Sequence, residues 1–161
     1  MTRPAARCLA ALALGAFAGA CGLGGSADVV QEFQLGGPLP GAGTQVTSAA
    51  ITQPLTASAG DLDKLSKVTL TAGRLESTDG KDLAFLDQGG RLFVQASGKP
   101  TLDLASFAAP GAVGRVDLTV SGVDLKPYLQ SGGAITLELG FSSKPVTARG
   151  LKLTLTLRGE L

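Results

Sequence analysis

Residues 151–158 read Leu-Lys-Leu-Thr-Leu-Thr-Leu-Arg, and this stretch decides the fold class. Its four leucines occupy alternate positions, with polar residues between them. Successive side chains of a β-strand point to opposite faces, so the pattern predicts a strand with one buried and one solvated face. Residues 134–141 show the same alternation, and the Ser-Ser-Lys-Pro segment at 142–145 predicts a turn between the two runs. We therefore expect these two strands to form an antiparallel pair.

Weaker alternation occurs throughout the preceding sequence. Further strands are predicted over residues 29–35, 45–52, 68–72, 92–95 and 116–120. Clusters of Gly, Pro, Ser and Asp separate these runs, and short helical turns are predicted at 60–65 and 124–129. About seven short strands, each apolar on one face, predict an all-β fold: an antiparallel β-sandwich of immunoglobulin-like, Greek-key type.

Composition limits the protein to a few classes. The chain has 161 residues, 44% of them hydrophobic and 17% charged, with a net charge of +1. These values indicate one globular domain, and they argue against nucleic-acid binding, which needs a basic surface. Aromatic residues make up only 4% of the chain, so we expect an aliphatic core. Tyr128 is the single tyrosine, and we expect it to pack with its hydroxyl bonded to nearby backbone rather than to form a carbohydrate platform.

The chain contains no histidine, which removes Ser-His-Asp and Cys-His catalysis and the usual zinc and copper ligand sets. Carboxylate pairs, Ser-Lys arrangements and oxygen-only metal sites remain open. The densest carboxylate groups are Asp61 with Asp63, and Glu76, Asp79, Asp82 and Asp87. Neither matches a calcium-binding loop, so we interpret them as solvated or capping residues, with 77–80 as a turn. No catalytic, cofactor-binding or metal-binding residue is predicted, and the chain is not expected to be an enzyme.

The N-terminus has the layout of a secretory leader. Arg3 and Arg7 precede an uncharged apolar run from Cys8 to Ala20. A helix of 13 residues spans about 20 Å, which is short of the roughly 30 Å of a bilayer's hydrocarbon core. The segment is therefore predicted to be a signal peptide rather than a membrane anchor.

The end of this leader, Phe17-Ala18-Gly19-Ala20-Cys21, resembles the lipobox of bacterial lipoproteins. The resemblance implies cleavage between Ala20 and Cys21 and a lipid on the Cys21 sulfur. The family most often has Leu where this chain has Ala18. The alternative is that Cys21 is an incidental small residue in an ordinary signal peptide or in an uncleaved anchor. The implied organisation is a signal peptide over 1–20, a lipidated flexible tether over 21–27 and a β-sandwich over 28–161. Gly22 after the cysteine favours the outer membrane over the inner one.

A second resemblance concerns the later part of the chain. Phe85-Leu86-Asp87, a strand, residues 124–129 and two closing strands are similar to bacterial envelope lipoproteins with an immunoglobulin-like sandwich. That resemblance brings no activity with it. The resulting hypothesis is a lipid-anchored, non-catalytic envelope protein with a structural or adaptor role and an envelope protein as partner. The alternatives are a carrier of an apolar small ligand and an enzyme that works without histidine. For partner binding by strand addition, the C-terminal strand is the expected edge.

Overall fold

The computed structural model describes residues 26–35, 47–54, 63–141 and 149–160. These residues form strands joined by turns, and one short helix. The elements are β1 (Ser26–Leu35), β2 (Thr47–Pro54), β3 (Lys67–Ser77), β4 (Gly90–Gln95), β5 (Leu102–Phe107), β6 (Arg115–Asp117), β7 (Thr119–Val120), α1 (Lys126–Leu129), β8 (Ala134–Phe141) and β9 (Arg149–Glu160). In this part of the chain no helix is long and apolar enough to cross a membrane.

The strands form two antiparallel sheets. The first sheet has the order β1-β9-β3-β6, and the second has the order β2-β8-β4-β5-β7. The predicted all-β antiparallel sandwich is therefore confirmed. When β6 and β7 are counted as one strand, the first sheet has the order first, eighth, third and sixth. The second sheet has the order second, seventh, fourth and fifth, and the sixth strand also ends this sheet through its β7 part. This double Greek key is the jelly-roll arrangement, which differs from the immunoglobulin order.

The core lies between the two sheets and is mainly leucine. In β9 the leucines at alternate positions are all at most 4% exposed, while the residues between them are half-buried. The inward side chains of β8 are equally buried. They pack with those of β3, β4 and β5 into one cluster. Burying a leucine side chain contributes about 1.5–3 kcal/mol, so this interior stabilises both sheets against each other.

The predicted pairing of the last two strands is wrong. β8 pairs with β2 and β4, whereas β9 pairs with β1 and β3, so the two strands lie in opposite sheets. Their leucine faces meet across the sandwich instead of lying side by side. The alternation of apolar and polar residues is the same whether the two strands pair in one sheet or face each other across the core, because either arrangement buries one face of each strand. The predicted turn at 142–145 lies outside the described residues.

The C-terminal strand is also not the free edge that the sequence suggested. β9 has β1 on one side and β3 on the other along almost its whole length. Among the described strands, the edges are β1 and the short β6 in the first sheet, and β2 and the short β7 in the second. The long edges suited to strand addition are therefore β1 and β2 rather than the C-terminal strand.

The opposite side of the sandwich is closed by one segment. The predicted strand at 116–120 is split, because β6 pairs with β3 while β7 pairs with β5 of the other sheet. Between them, the backbone N–H of Leu118 donates to the carbonyl of Gly73 at 2.8 Å. β5 itself was not predicted. A bulge opposite Leu92 and Phe93 breaks its alternation, so Leu104 and Ala105 are both buried.

Helix α1 confirms the helical turn predicted at 124–129. Asp124 stabilises its entry, since Oδ1 accepts the backbone N–H groups of Lys126 and Val68 at 3.0 Å each. Tyr128 is 8% exposed, and its hydroxyl donates to the carbonyl oxygen of Pro100 at 2.9 Å. The packing role predicted for this tyrosine is therefore confirmed. Of the other predicted helical turn, only residues 63–65 are described, and they begin with a turn.

Candidate functional site

The residues with the clearest sequence signal precede the described part of the chain. The signal peptide over 1–20, the lipobox Phe17–Cys21 and most of the tether lie outside the described residues, as does Asp61. Cys21 precedes the first residue of β1, Ser26, by five positions. A chain of that length reaches at most about 18 Å when extended. The attachment point predicted from the lipobox is therefore close in sequence to one end of the first sheet.

An arginine occupies a core-facing position at the other end of that sheet. Arg149 continues the alternation of the β9 leucines, and its side chain is 7% exposed. Its Nε donates to Oδ2 of Asp79 at 2.7 Å, and its Nη2 donates to the backbone carbonyl of Asp82. The guanidinium also lies 4.6 Å from the ring centroid of Phe85, a cation–π contact. A buried charge needs such partners, because desolvation alone would exclude it from the core.

Asp79 binds the loop after β3 to this arginine. Its carboxylate also accepts the hydroxyl of Ser77 at 2.6 Å and the backbone N–H of Lys81 at 3.1 Å. Hydrogen bonding to Arg149, followed by that to Ser77, holds the pKa of Asp79 well below its usual range. Gly80 has φ +72°, and the chain bends over 78–80, within the segment predicted to be a turn. Asp79 is nevertheless more than a solvated carboxylate, because it neutralises a buried cation.

The outer face of the second sheet carries an aromatic residue. Phe93 alternates with the inward Leu92 and Val94, yet only 8% of it is exposed. The guanidinium of Arg91 lies 5.1 Å from the Phe93 ring centroid and donates to Oε2 of Glu138. The arginine therefore shields the ring from water on this face.

The outer face of the first sheet is polar and charged. Lys152 of β9 is the register partner of Glu32 in β1 and of Glu76 in β3, and Glu76 is in turn paired with Arg115 of β6. We call these four residues the charged row. They line one open groove together with Ser77, Thr78 and Gly114. One position further along the face, Arg74 and Asp117 form an exposed ion pair at 2.9 Å, which lowers the pKa of Asp117.

The sequence did not predict the site around Arg149, the contact between Arg91 and Phe93, or the charged row. The leucine alternation of β9, continued backwards by one step, would have placed Arg149 on the buried face. The charged row depends on the register between four strands that are distant in sequence, and no local pattern encodes that register. Within the described residues, no group of three or more Cys, Asp or Glu side chains could hold a metal ion.

Comparison with known proteins adds distant likenesses among the solved structures. No known protein family and no curated protein matches the chain. Three chains among the solved structures match. One of them, a decameric BFDV capsid protein, is 14% identical, and the match covers 85% of this chain and 99% of that chain with a TM-score of 0.32. A likeness at that level supports no statement about function.

Proposed function

We propose that this protein is a lipid-anchored, non-catalytic component of a bacterial envelope, with a structural or adaptor role. The observation that carries the proposal is the order of the N-terminal sequence: a basic stretch, a short apolar run, and the small-residue segment that ends at Cys21. The start of β1 five positions later supports it, since a lipid at Cys21 would hold the sandwich next to the bilayer. Two or more acyl chains give stable membrane attachment.

The sandwich is consistent with a role in binding rather than catalysis. The interior leucines pack in one cluster, and the outer face of the first sheet is polar. The carrier alternative requires an apolar cavity, whereas the groove on the first sheet is lined mainly by charged and hydroxyl side chains. We therefore propose that the partner, a second envelope protein, binds to the outside of the sandwich. The outer membrane is the expected location, from Gly22 beside the lipidated residue.

The chain provides a matched control for testing the anchor. Cys8 and Cys21 are its only cysteines, and the proposal requires that only Cys21 carries lipid. Full-length protein, Cys8→Ser and Cys21→Ser would be expressed in a bacterial host, fractionated and analysed by mass spectrometry of the mature N-terminus. We expect an acylated Cys21 at the N-terminus of the wild-type and Cys8→Ser proteins, both in the membrane fraction. Cys21→Ser should lose the lipid.

Two outcomes would contradict the proposal. One is an unmodified N-terminus at another position, which would indicate ordinary signal-peptide cleavage or none. The other is equal membrane attachment of Cys21→Ser and the wild type. A cross-linked pull-down of the tagged wild type from native envelopes would then test the adaptor role, because an adaptor should retain a stoichiometric protein partner. Recovery of the anchored protein without any partner would count against that role.

A further inference from the structure

The charged row alternates in sign across the whole width of the first sheet. From β1 to β6 the signs are negative at Glu32, positive at Lys152, negative at Glu76 and positive at Arg115. The row lines the open groove described above. Within the described part of the chain, none of the ion pairs joins two members of this row. The four charges are therefore not ion-paired with one another, although those of Glu76 and Arg115 also act on the neighbouring Arg74 and Asp117.

Such a row is complementary to itself when it is reversed. We propose that the outer face of the first sheet is a self-association surface, which pairs two copies of this chain about a two-fold axis lying roughly parallel to the strands. That rotation reverses the order of the four charges. Glu32 then faces Arg115 of the second copy, and Lys152 faces Glu76 of the second copy. By symmetry each contact occurs twice, giving four pairs of opposite charge.

The neighbouring positions on the face are compatible with this arrangement. Arg74 and Asp117 share a row with Val30 and Thr154, so across the axis Arg74 faces Thr154 and Asp117 faces Val30. No like charges meet there. An in-plane axis perpendicular to the strands and passing through the charged row would instead place each of its residues opposite its own copy. Four like-charge contacts would result, so the row disfavours that axis.

The same axis fits the anchor, and this step rests on the proposed function. A two-fold axis parallel to the strands leaves both copies of β1 pointing the same way, so both copies of Ser26 lie at the same end of the dimer. Both Cys21 residues, five positions earlier, could then carry lipid into one bilayer. An axis perpendicular to the strands would point the two tethers in opposite directions. The charge order permits this dimer, and the tether direction favours it over a dimer with a perpendicular axis.

The size of the face predicts how tightly the copies bind. Three strands about 4.8 Å apart and about 34 Å long, together with the three-residue β6 of about 10 Å, offer roughly 540 Å² per copy. The total of about 1,100 Å² falls in the range of weak, transient interfaces. Pairs of exposed charges are weak and salt-sensitive, so the dimer should be weak in free solution. Two copies anchored in one membrane would meet at a higher effective concentration, which favours pairing.

Charge reversal tests the proposal directly. The full-length protein would be purified in density-matched detergent, and its dimer dissociation constant measured by sedimentation equilibrium at about 50 mM and about 500 mM salt. Lys152→Glu places a carboxylate opposite Glu76 of the second copy, twice per dimer. We expect the Kd to rise about tenfold or more, and Glu76→Lys to act in the same way. Lys81→Glu, in the loop after β3 and off this face, gives the same change in net charge and should leave the Kd unchanged.

Rescue experiments make the test specific. The double variant Lys152→Glu/Glu76→Lys restores opposite charges across the axis, so it should dimerise like the wild type. A mixture of the two single variants should form heterodimers, although neither variant dimerises well alone. Circular dichroism would verify that each variant is folded. These results require direct contact between positions 152 and 76 of different copies, which a general effect of net charge does not produce.

The proposal is overturned by a wild type that stays monomeric at low salt and high concentration. It is also overturned if Lys152→Glu leaves the Kd unchanged, or if neither rescue restores association. These outcomes are separable from the fate of the anchor, because the dimer is measured without a membrane. A salt-sensitive dimer with no lipid on Cys21 would refute the proposed function but support the self-association surface. A protein that carries lipid on Cys21 but stays monomeric would support the anchor and refute the self-association surface.

Discussion

Asp79→Ala should destabilise the protein more than Arg149→Met, although both substitutions remove the same ion pair. The two partners differ in their surroundings. The Arg149 side chain is 7% exposed, whereas that of Asp79 is 23% exposed. Without Asp79, the guanidinium keeps only the carbonyl of Asp82 and the ring of Phe85. Without Arg149, the carboxylate keeps water, the Ser77 hydroxyl and backbone N–H groups.

The magnitudes follow from that difference. An uncompensated buried charge costs about 3–5 kcal/mol, and the lower end applies here because two partners remain. Arg149→Met replaces the arginine stem with an apolar side chain on the leucine face, and loses hydrogen bonds worth about 1–2 kcal/mol. We therefore expect Asp79→Ala to lower the free energy of unfolding by about 1–2 kcal/mol more than Arg149→Met does. The double variant leaves no buried charge, so it should be more stable than Asp79→Ala alone.

Urea unfolding at pH 7, followed by far-ultraviolet circular dichroism, measures these differences, since the chain contains no tryptophan. The four proteins form a double-mutant cycle. The reasoning would be refuted by equal losses in the two single variants, or by a double variant whose loss is the sum of the two.

Three further predictions concern the turns and the titration of the fold. The pKa of Asp79 is lowered in the folded protein, so the ionised carboxylate contributes its full stabilisation above about pH 4, and this contribution declines as the pH falls further. When the free energy of unfolding is measured from about pH 6 down to about pH 2, it should therefore decrease less for Asp79→Asn than for the wild type. Gly89 has φ +69°, and a Cβ there would lie 2.2 Å from the carbonyl oxygen of Phe107, so Gly89→Ala should cost more than about 2 kcal/mol. Gly80→Ala is the matched control, because Gly80 has a similar φ but open space around the added Cβ, and it should cost about 1 kcal/mol. Equal urea midpoints for Gly89→Ala and Gly80→Ala would contradict the steric argument. Tyr128→Phe removes the bond to the Pro100 carbonyl and should cost about 0.5–1 kcal/mol in thermal unfolding, and an unchanged melting temperature would show that this bond contributes nothing.

The sequence predicts strands well because alternation is a local property. Every predicted strand in the described part of the chain overlaps observed strand residues, and 134–141 matches β8, although 116–120 is divided between β6 and β7. The missed strand, β5, is the one whose bulge interrupts the alternation. Partner choice is not local: β8 and β9 are adjacent in sequence, yet they face each other across the core. Alternation alone cannot separate these two arrangements.

The candidate sites also differ in whether consecutive residues predict them or whether they depend on contacts between distant parts of the chain. The lipobox can be recognised because its residues are consecutive, and Tyr128 was assigned correctly because its neighbours in sequence define its turn. The charged row unites residues from position 32 to position 152, and it exists only through the register of three strand pairs. Arg149 is an intermediate case, since the leucine alternation indicates its orientation, while its partner Asp79 comes from a distant loop.

The pairing of β1 with β9 has a mechanical consequence for an anchored protein. All ten residues of β1 have register partners in β9, and the tether from Cys21 would enter β1 at Ser26. A force pulling the body away from the membrane would then run along the strand. It would load the hydrogen bonds of this pair in shear, so they would have to break together. A force applied sideways at Ser26 would open the same bonds one after another, like a zipper. The junction should therefore resist detachment along the strand axis and yield to peeling across it.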